Sequence, residues 1–253
     1  MRYWKGSIHL SASQDYPLLR QVLRSEHITH SQLFEFMRYG GHEGSRQSFA
    51  WRVRRLVRHG LVKQHQTKCF GCEPVYSLSR ETALELQGLE EYCVVSAKQS
   101  DSDGTNDMLH AVELNNIHLS LLRAGIQARW TPATEVRSIN ELTAFKYAKI
   151  YDAVVELRAN GDTKNFALEY ERSRKARINY AQIAEDMAAE QRVSIILYLA
   201  ANYDMLKFLT GAFRGHTRRV VFGLVREWHT HLLEMPVETP ECSGWRPFLD
   251  LLA

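Results

Sequence analysis

Between Ser96 and Asp107 the chain is almost wholly polar, with Ser, Asp, Gly and Asn dominating. No apolar periodicity crosses this stretch, so no single core is expected to be laid across it. A chain of 253 residues interrupted in this way is expected to form two domains, 1–95 and 108–253, joined by a linker at 96–107. With 45% hydrophobic and 24% charged residues, each part has the material for a core of its own. The longest largely apolar run, Val193–Ala201, falls far short of the ~20 residues of a membrane span. No membrane partner is therefore expected. Met1–Lys5 is followed by no signal-like apolar stretch, and four cysteines make no disulfide scaffold. The expected location is a reducing cytoplasm.

The net charge of +3 is unevenly placed. Residues 1–95 carry +4 and the remainder −1. From Gly44 to Cys72 there are seven bases (Arg46, Arg52, Arg54, Arg55, Arg58, Lys63, Lys68) and no acid. Such clustering suits a polyanion. A solvated helix face with counterions is the alternative.

The first part reads as helices at Asp15–Arg24, Ser31–Tyr39, Arg46–His59 and Glu81–Tyr92. Gly40-Gly41 and Gly60 act as stops and Ser45 as an N-cap. Leu61–Gln66 and Pro74–Leu78 read as two short strands around a tip containing Gly71. Phe49, Val53, Leu56 and Val57 form the apolar stripe of the basic helix. Gln47, Trp51, Arg54, Arg55 and Arg58 then lie largely off the core. Cys69-Phe-Gly-Cys72 has zinc-ligand spacing, but a Gly-bearing turn accounts for it and no zinc is expected.

Helix, helix, basic helix and hairpin is the order of a winged helix-turn-helix, which residues 15–92 resemble. Its most telling phrase is Arg46-Gln-Ser-Phe-Ala-Trp-Arg-Val-Arg-Arg-Leu-Val-Arg-His-Gly-Leu-Val62. The resemblance implies that Arg46, Gln47 and Ser48 reach base edges. Trp51, Arg54, Arg55 and Arg58 face the duplex, with the arginines on phosphates. Lys63, Gln64 and Lys68 grip the backbone as a wing. Double-stranded DNA is the expected partner, and no cofactor is needed for that contact. Winged helices also dock on proteins, which leaves a protein partner open.

The second part reads as a helix at Met108–Ala124 and strand material at Gln127–Trp130 and Thr134–Arg137. Strands follow at Asp152–Arg158 and Phe166–Glu171, a long helix at Arg174–Gln191, and a buried strand at Val193–Leu199. A helix at Tyr203–Phe213 and a strand at Arg219–Trp228 complete it. A mixed sheet with helices on its faces is expected. Asn160-Gly161 is a strong two-residue hairpin signal. That turn sets Asp152 opposite Glu169, whereas a four-residue loop sets it opposite Glu171. Either register brings carboxylates together, and like charges facing across a sheet are destabilising. The cluster calls for a metal cation, a basic partner such as Lys149, Arg172 or Lys175, or a solvated face.

With Asp152 opening one strand and Glu169-x-Glu171 ending the next, this order resembles the PD-(D/E)XK nuclease superfamily. A winged helix ahead of it, with His110-x-x-Glu113-Leu-Asn and Phe166-Ala-Leu-Glu-Tyr-Glu-Arg172, is similar to the replication-relaxation family of plasmids and mobile elements. The implied fold is α+β: an N-terminal winged helix followed by an α/β restriction-endonuclease-like domain. The resemblance implies Mg²⁺ held by Asp152 and Glu169, with Glu113 as a third ligand. Glu171 stands where the superfamily has a catalytic lysine, so Lys149 or Lys175 would have to take that place. The implied catalytic group is Asp152, Glu169, Glu171 and Lys175. The implied function is DNA binding in replication, mobilisation or DNA processing, with Mg²⁺-dependent cleavage. A non-catalytic regulator whose second domain dimerises or recruits a partner is the alternative, and a defence or antitoxin-like interaction protein a more remote one. Residues 229–253 are expected to pack late, with a homodimer interface as one setting.

Overall fold

The computed structural model describes residues 8–88, 104–159, 162–174, 177–215, 219–240 and 244–252. Contacts gather the chain into two compact units, Met1–Leu119 and Ser120–Ala253. The residues expected to link two domains lie at 96–103 outside the described set, and Thr105–Asp107 are helical.

The first unit begins with α1 (Asp15–Ser25), β1 (Ile28–Thr29) and α2 (His30–Tyr39). The basic helix is α3 (Arg46–Arg58), followed by β2 (Val62–His65), a 3₁₀ turn at Lys68–Phe70, β3 (Val75–Leu78) and α4 (Arg80–Gln87). Helix α5 (Thr105–Arg123) runs to the boundary between the units. The strands form an antiparallel sheet in the order β1-β3-β2. Local chemistry explains the helix ends. Thr29 and Gln32 make a reciprocal capping box on α2. The Ser45 hydroxyl accepts from the Ser48 N–H on α3. Gly60 supplies the positive φ that turns the chain from α3 into β2. Leu18, Leu19, Leu33, Phe49, Val53 and Leu56 fill the core beneath these helices. The Gln32 amide donates to the Val112 carbonyl and to Asn116, and the Asn115 amide to the His27 carbonyl. These bonds tie α5 to α1–β1–α2. The polar residues of an apparently apolar helix are thus its anchors.

The second unit contains β4 (Ala128–Pro132), α6 (Ala133–Leu142), β5 (Ala153–Ala159), β6 (Asp162–Glu171) and α7 (Arg177–Ala188). It continues with β7 (Ile195–Ala200), α8 (Tyr203–Ala212), β8 (Val220–Leu224) and α9 (Val225–His231). Short β9 (Pro236–Val237), β10 (Arg246–Pro247) and α10 (Phe248–Leu251) end it. Its mixed five-stranded sheet has the order β4-β5-β6-β7-β8. The first three strands are antiparallel and the last three parallel. One face packs Val154, Ala167 and Tyr198 against Tyr180, Ala184 and Met187 of α7 and Met205, Leu206 and Leu209 of α8. On the other face Phe166 meets Phe248 and Trp228, with ring centres 5.0 and 6.4 Å away. The mixed α+β class and mixed sheet match expectation.

Three local readings need correction. Thr134–Arg137 alternates like a strand but forms the first turns of α6. Pro132 cannot continue a ladder as donor, and the Ala133 N–H turns to the Asp152 carbonyl at 3.0 Å. Val225–Trp228 is helix, with Trp228 buried one turn after Val225. Residues 229–253 are no trailing segment: Met235, Val237, Phe248 and Leu252 are buried in the second unit. Phe222 and Glu238 exchange two backbone hydrogen bonds of 2.8 Å. The Met235 methyl sits over Gly223, where a Cβ would lie 2.0 Å from it and would have to push the end of that side chain aside.

His118 of α5 packs its ring 5.0 Å from Phe36. Burial, aided by Arg24, pushes its pKa down to about 3 from 6.5. The unfolded chain therefore binds a proton that the folded one refuses. Stability is expected to hold above pH 6.5 and to fall below it, by up to about 1.4 kcal/mol per pH unit. Denaturant unfolding at pH 7.5 and 5.0 checks this, and His118→Phe is expected to flatten the difference.

Candidate functional site

Two separate constellations carry the chemistry anticipated from the sequence. On α3 of the first unit, Gln47, Trp51, Arg54 and Arg58 are exposed and follow i, i+4, i+7, i+11 spacing, which makes one outward ridge. Trp51 is 59% exposed. Arg46 is also exposed, with its guanidinium 4.7 Å from the Phe34 ring centre, and Ser48 is half-buried. Lys63 of β2 and Lys68 of the turn beyond it are exposed.

Arg55 differs from its neighbours. Its guanidinium pairs with buried Asp15 and lies 5.3 Å from the Trp51 ring centre. Arg52 pairs with Asp15 and Glu43, each at 3.3 Å, and donates to the Gln14 side chain at 2.7 Å. Both arginines tie α1 to α3 through Asp15, and Arg52 also ties Glu43 to α3. The stretch that is free of acids in sequence is neutralised in space by acids on either side of it. The exposed bases of the stretch are Arg46, Arg54, Arg58, Lys63 and Lys68.

Cys69 and Cys72 are exposed free thiols. Among the described residues, no three His, Cys, Asp or Glu side chains converge as metal ligands. Glu113 belongs to the first unit, and Asp152 and Glu169 to the second.

In the second unit the β5–β6 register pairs Ala153 with Leu168 and Ala159 with Asp162. This is the register of a two-residue loop, with residues 160–161 themselves outside the described set. Continued by one residue, it sets Asp152 opposite Glu169. The Asp152 carboxylate accepts from the Tyr170 N–H at 2.8 Å. Glu169 and Glu171 lie on the same face of β6, each only 5% exposed. The parallel β6–β7 register places Tyr198 beside Glu169.

Lys149 provides a counter-charge. Its ammonium lies 2.7 Å from Glu169 Oε1 and 5.5 Å from the Tyr151 ring centre. Of the two lysines anticipated for this place, Lys149 reaches the cluster, and Lys175 lies outside the described residues. Lys149 is held by a braced loop. The Glu190 carboxylate accepts from the Tyr151 hydroxyl and the Ala148 N–H, both at 2.9 Å, and from the Arg192 N–H at 2.7 Å. Asn140 exchanges hydrogen bonds with both backbone groups of Tyr147. No sequence motif marks Glu190. Its only sign was an acid at the end of an amphipathic helix.

The Tyr198 hydroxyl is fully buried and lacks a hydrogen-bond partner among the described residues. Burial first, then Glu169, Glu171 and Asp152, raise its pKa well above the ordinary tyrosine value. Asp152, Glu169 and Glu171 all act on this one hydroxyl, which groups them at one end of the sheet. Carboxylates so grouped are oxygen donors of the kind a hard divalent cation takes, one or two at a time, with water and phosphate in its other positions.

Lys149→Met is expected to destabilise the second unit by about 3 kcal/mol, because it removes an ammonium from beside the buried Glu169 carboxylate. Adding Glu169→Gln to that variant is expected to restore most of the loss, as measured by denaturant unfolding. Comparison with family models, with curated proteins and with solved structures yields no match for this chain.

Proposed function

We propose that this chain is a DNA-binding protein whose second unit cleaves phosphodiester bonds with Mg²⁺. The first unit serves as a winged helix-turn-helix. Its support is the helix–helix–basic helix–hairpin order, the β1-β3-β2 sheet and the exposed ridge of α3. Arg46, Gln47 and Ser48 stand at the end of α3 that would enter the groove. Arg54, Arg58, Lys63 and Lys68 supply phosphate contacts.

The observation that carries the nuclease reading is the Lys149 ammonium 2.7 Å from Glu169, beside Asp152. A lysine from the preceding loop takes the position that Glu171 denies to the strand. Asp152 and Glu169 would hold Mg²⁺, which supplies Lewis-acid polarisation of a phosphate oxygen and a more acidic bound water. Lys149 would orient the attacking water and stabilise negative charge on the phosphate. Tyr170 fixes the Asp152 carboxylate through its backbone N–H. The plasmid and mobile-element setting, with roles in replication or mobilisation, follows from the sequence resemblance.

A second reading, a non-catalytic DNA-binding regulator, is favoured by one observation. The Lys149 ammonium already lies 2.7 Å from Glu169, in the place a metal would take against that carboxylate. Plasmid nicking separates the two. Wild type is expected to nick in Mg²⁺ or Mn²⁺, while Asp152→Ala and Lys149→Ala do not. Absence of metal-dependent cutting in wild type overturns the nuclease reading. Binding is tested apart from cutting. Arg54→Ala/Arg58→Ala is expected to weaken duplex affinity and lower the logarithmic salt slope by about 2. An unchanged slope moves the DNA contact off α3.

A further inference from the structure

Helix α6 begins without a side-chain cap, because its N-cap residue is Pro132. Of its first-turn amides, the Ala133 N–H is satisfied by the carbonyl of Asp152. This bond joins the start of α6 to the residue that opens the acidic cluster.

Two further groups stand on these opening turns. Thr134 is 2% exposed, and its hydroxyl has no hydrogen-bond partner among the described residues. The Nη1 of Arg137 is buried and equally unpartnered. Thr134 and Arg137 are three apart and share one face of the helix. Side chains on a helix lean toward its N-terminus, which carries the Arg137 head back toward the first turn. Glu135, the acid of this turn, falls two positions from Arg137 and projects from another side of the helix. A guanidinium nitrogen kept from water with no acceptor is costly. An uncapped helix N-terminus, a hydroxyl and a guanidinium are together a set of donors that lacks its anion. Arg137 as a whole is only half-buried, which leaves the site a route to solvent.

We infer that the opening turns of α6 bind a phosphate group through the Thr134 hydroxyl and the Arg137 guanidinium, and that the group is a phosphodiester of the DNA whose neighbouring bond faces Asp152. The assignment of the phosphate to DNA rests on the nuclease reading above. The anion site itself does not.

The test uses the full chain and inorganic phosphate as probe, titrated calorimetrically against chloride at equal ionic strength. Wild type is expected to bind phosphate. Arg137→Met and Thr134→Val are each expected to weaken binding about tenfold, while Thr134→Ser retains it. Neither the Thr134 hydroxyl nor the Arg137 Nη1 has a hydrogen-bond partner among the described residues, so neither variant is expected to lower the unfolding temperature. Wild type that takes up no phosphate beyond chloride overturns the site. So do variants that bind as wild type does. A short duplex at low salt, in the Arg54→Ala/Arg58→Ala background, then distinguishes the sources. Weaker duplex binding on adding Arg137→Met supports the phosphodiester, and unchanged duplex binding overturns it in favour of a free phosphate. Phosphate binding without metal-dependent nicking sinks the nuclease reading and leaves the site standing. Nicking with no phosphate binding does the reverse.

Discussion

The antiparallel register of β5 and β6 governs the second unit. It sets two carboxylates face to face at the point where the strands join the helical layer, and that juxtaposition is unfavourable unless charge is supplied. Lys149 supplies it, but only from a loop that must be held still. Glu190 and Asn140 do the holding through the Ala148 and Tyr147 backbones and the Tyr151 hydroxyl. A constraint between two strands is thus met by the end of α7 and by α6, elements distant in sequence. The buried carboxylate of Glu190 is stable because its hydrogen bonds come from three donors at fixed positions.

The first unit solves a related problem with the signs reversed. A helix carrying Arg46, Arg52, Arg54, Arg55 and Arg58 repels itself. Buried Asp15 and the neighbouring Glu43 remove that cost at Arg52 and Arg55. The same pairs fix where α1 meets α3. What remains outward is a shorter row of bases around Trp51, with less charge than the sequence implies and a defined orientation.

Features set by neighbouring residues were legible from sequence. Ser45 and Gly60 bound α3, and Asn160-Gly161 implied the register that pairs Asp152 with Glu169. The carboxylate cluster followed from that register. The approach of Lys149 did not, since it depends on how a loop folds back over a sheet. Thr134–Arg137 misled because Thr and Val alternate with charge as in a strand. The three-residue interval from Val136 to Ile139 and the Ser138 hydroxyl on the Thr134 carbonyl belong to a helix instead. That error hid the helix face that Thr134 and Arg137 share, since residues three apart point to opposite faces of a strand. Glu190 and the buried tail were invisible for the same reason: their partners are remote and carry no motif.

The tail bears on assembly. Strand β8 ends the five-stranded order, and its outer side is engaged by the Phe222–Glu238 bridge, with Met235 seated over Gly223. An open strand at that position would be a template for a second copy. The chain's own final residues fill it instead. Two copies that joined by extending this sheet would have to meet along β4. Any other pairing would have to use helix faces or loops, and a truncation before Met235 would convert a closed border into an adhesive one.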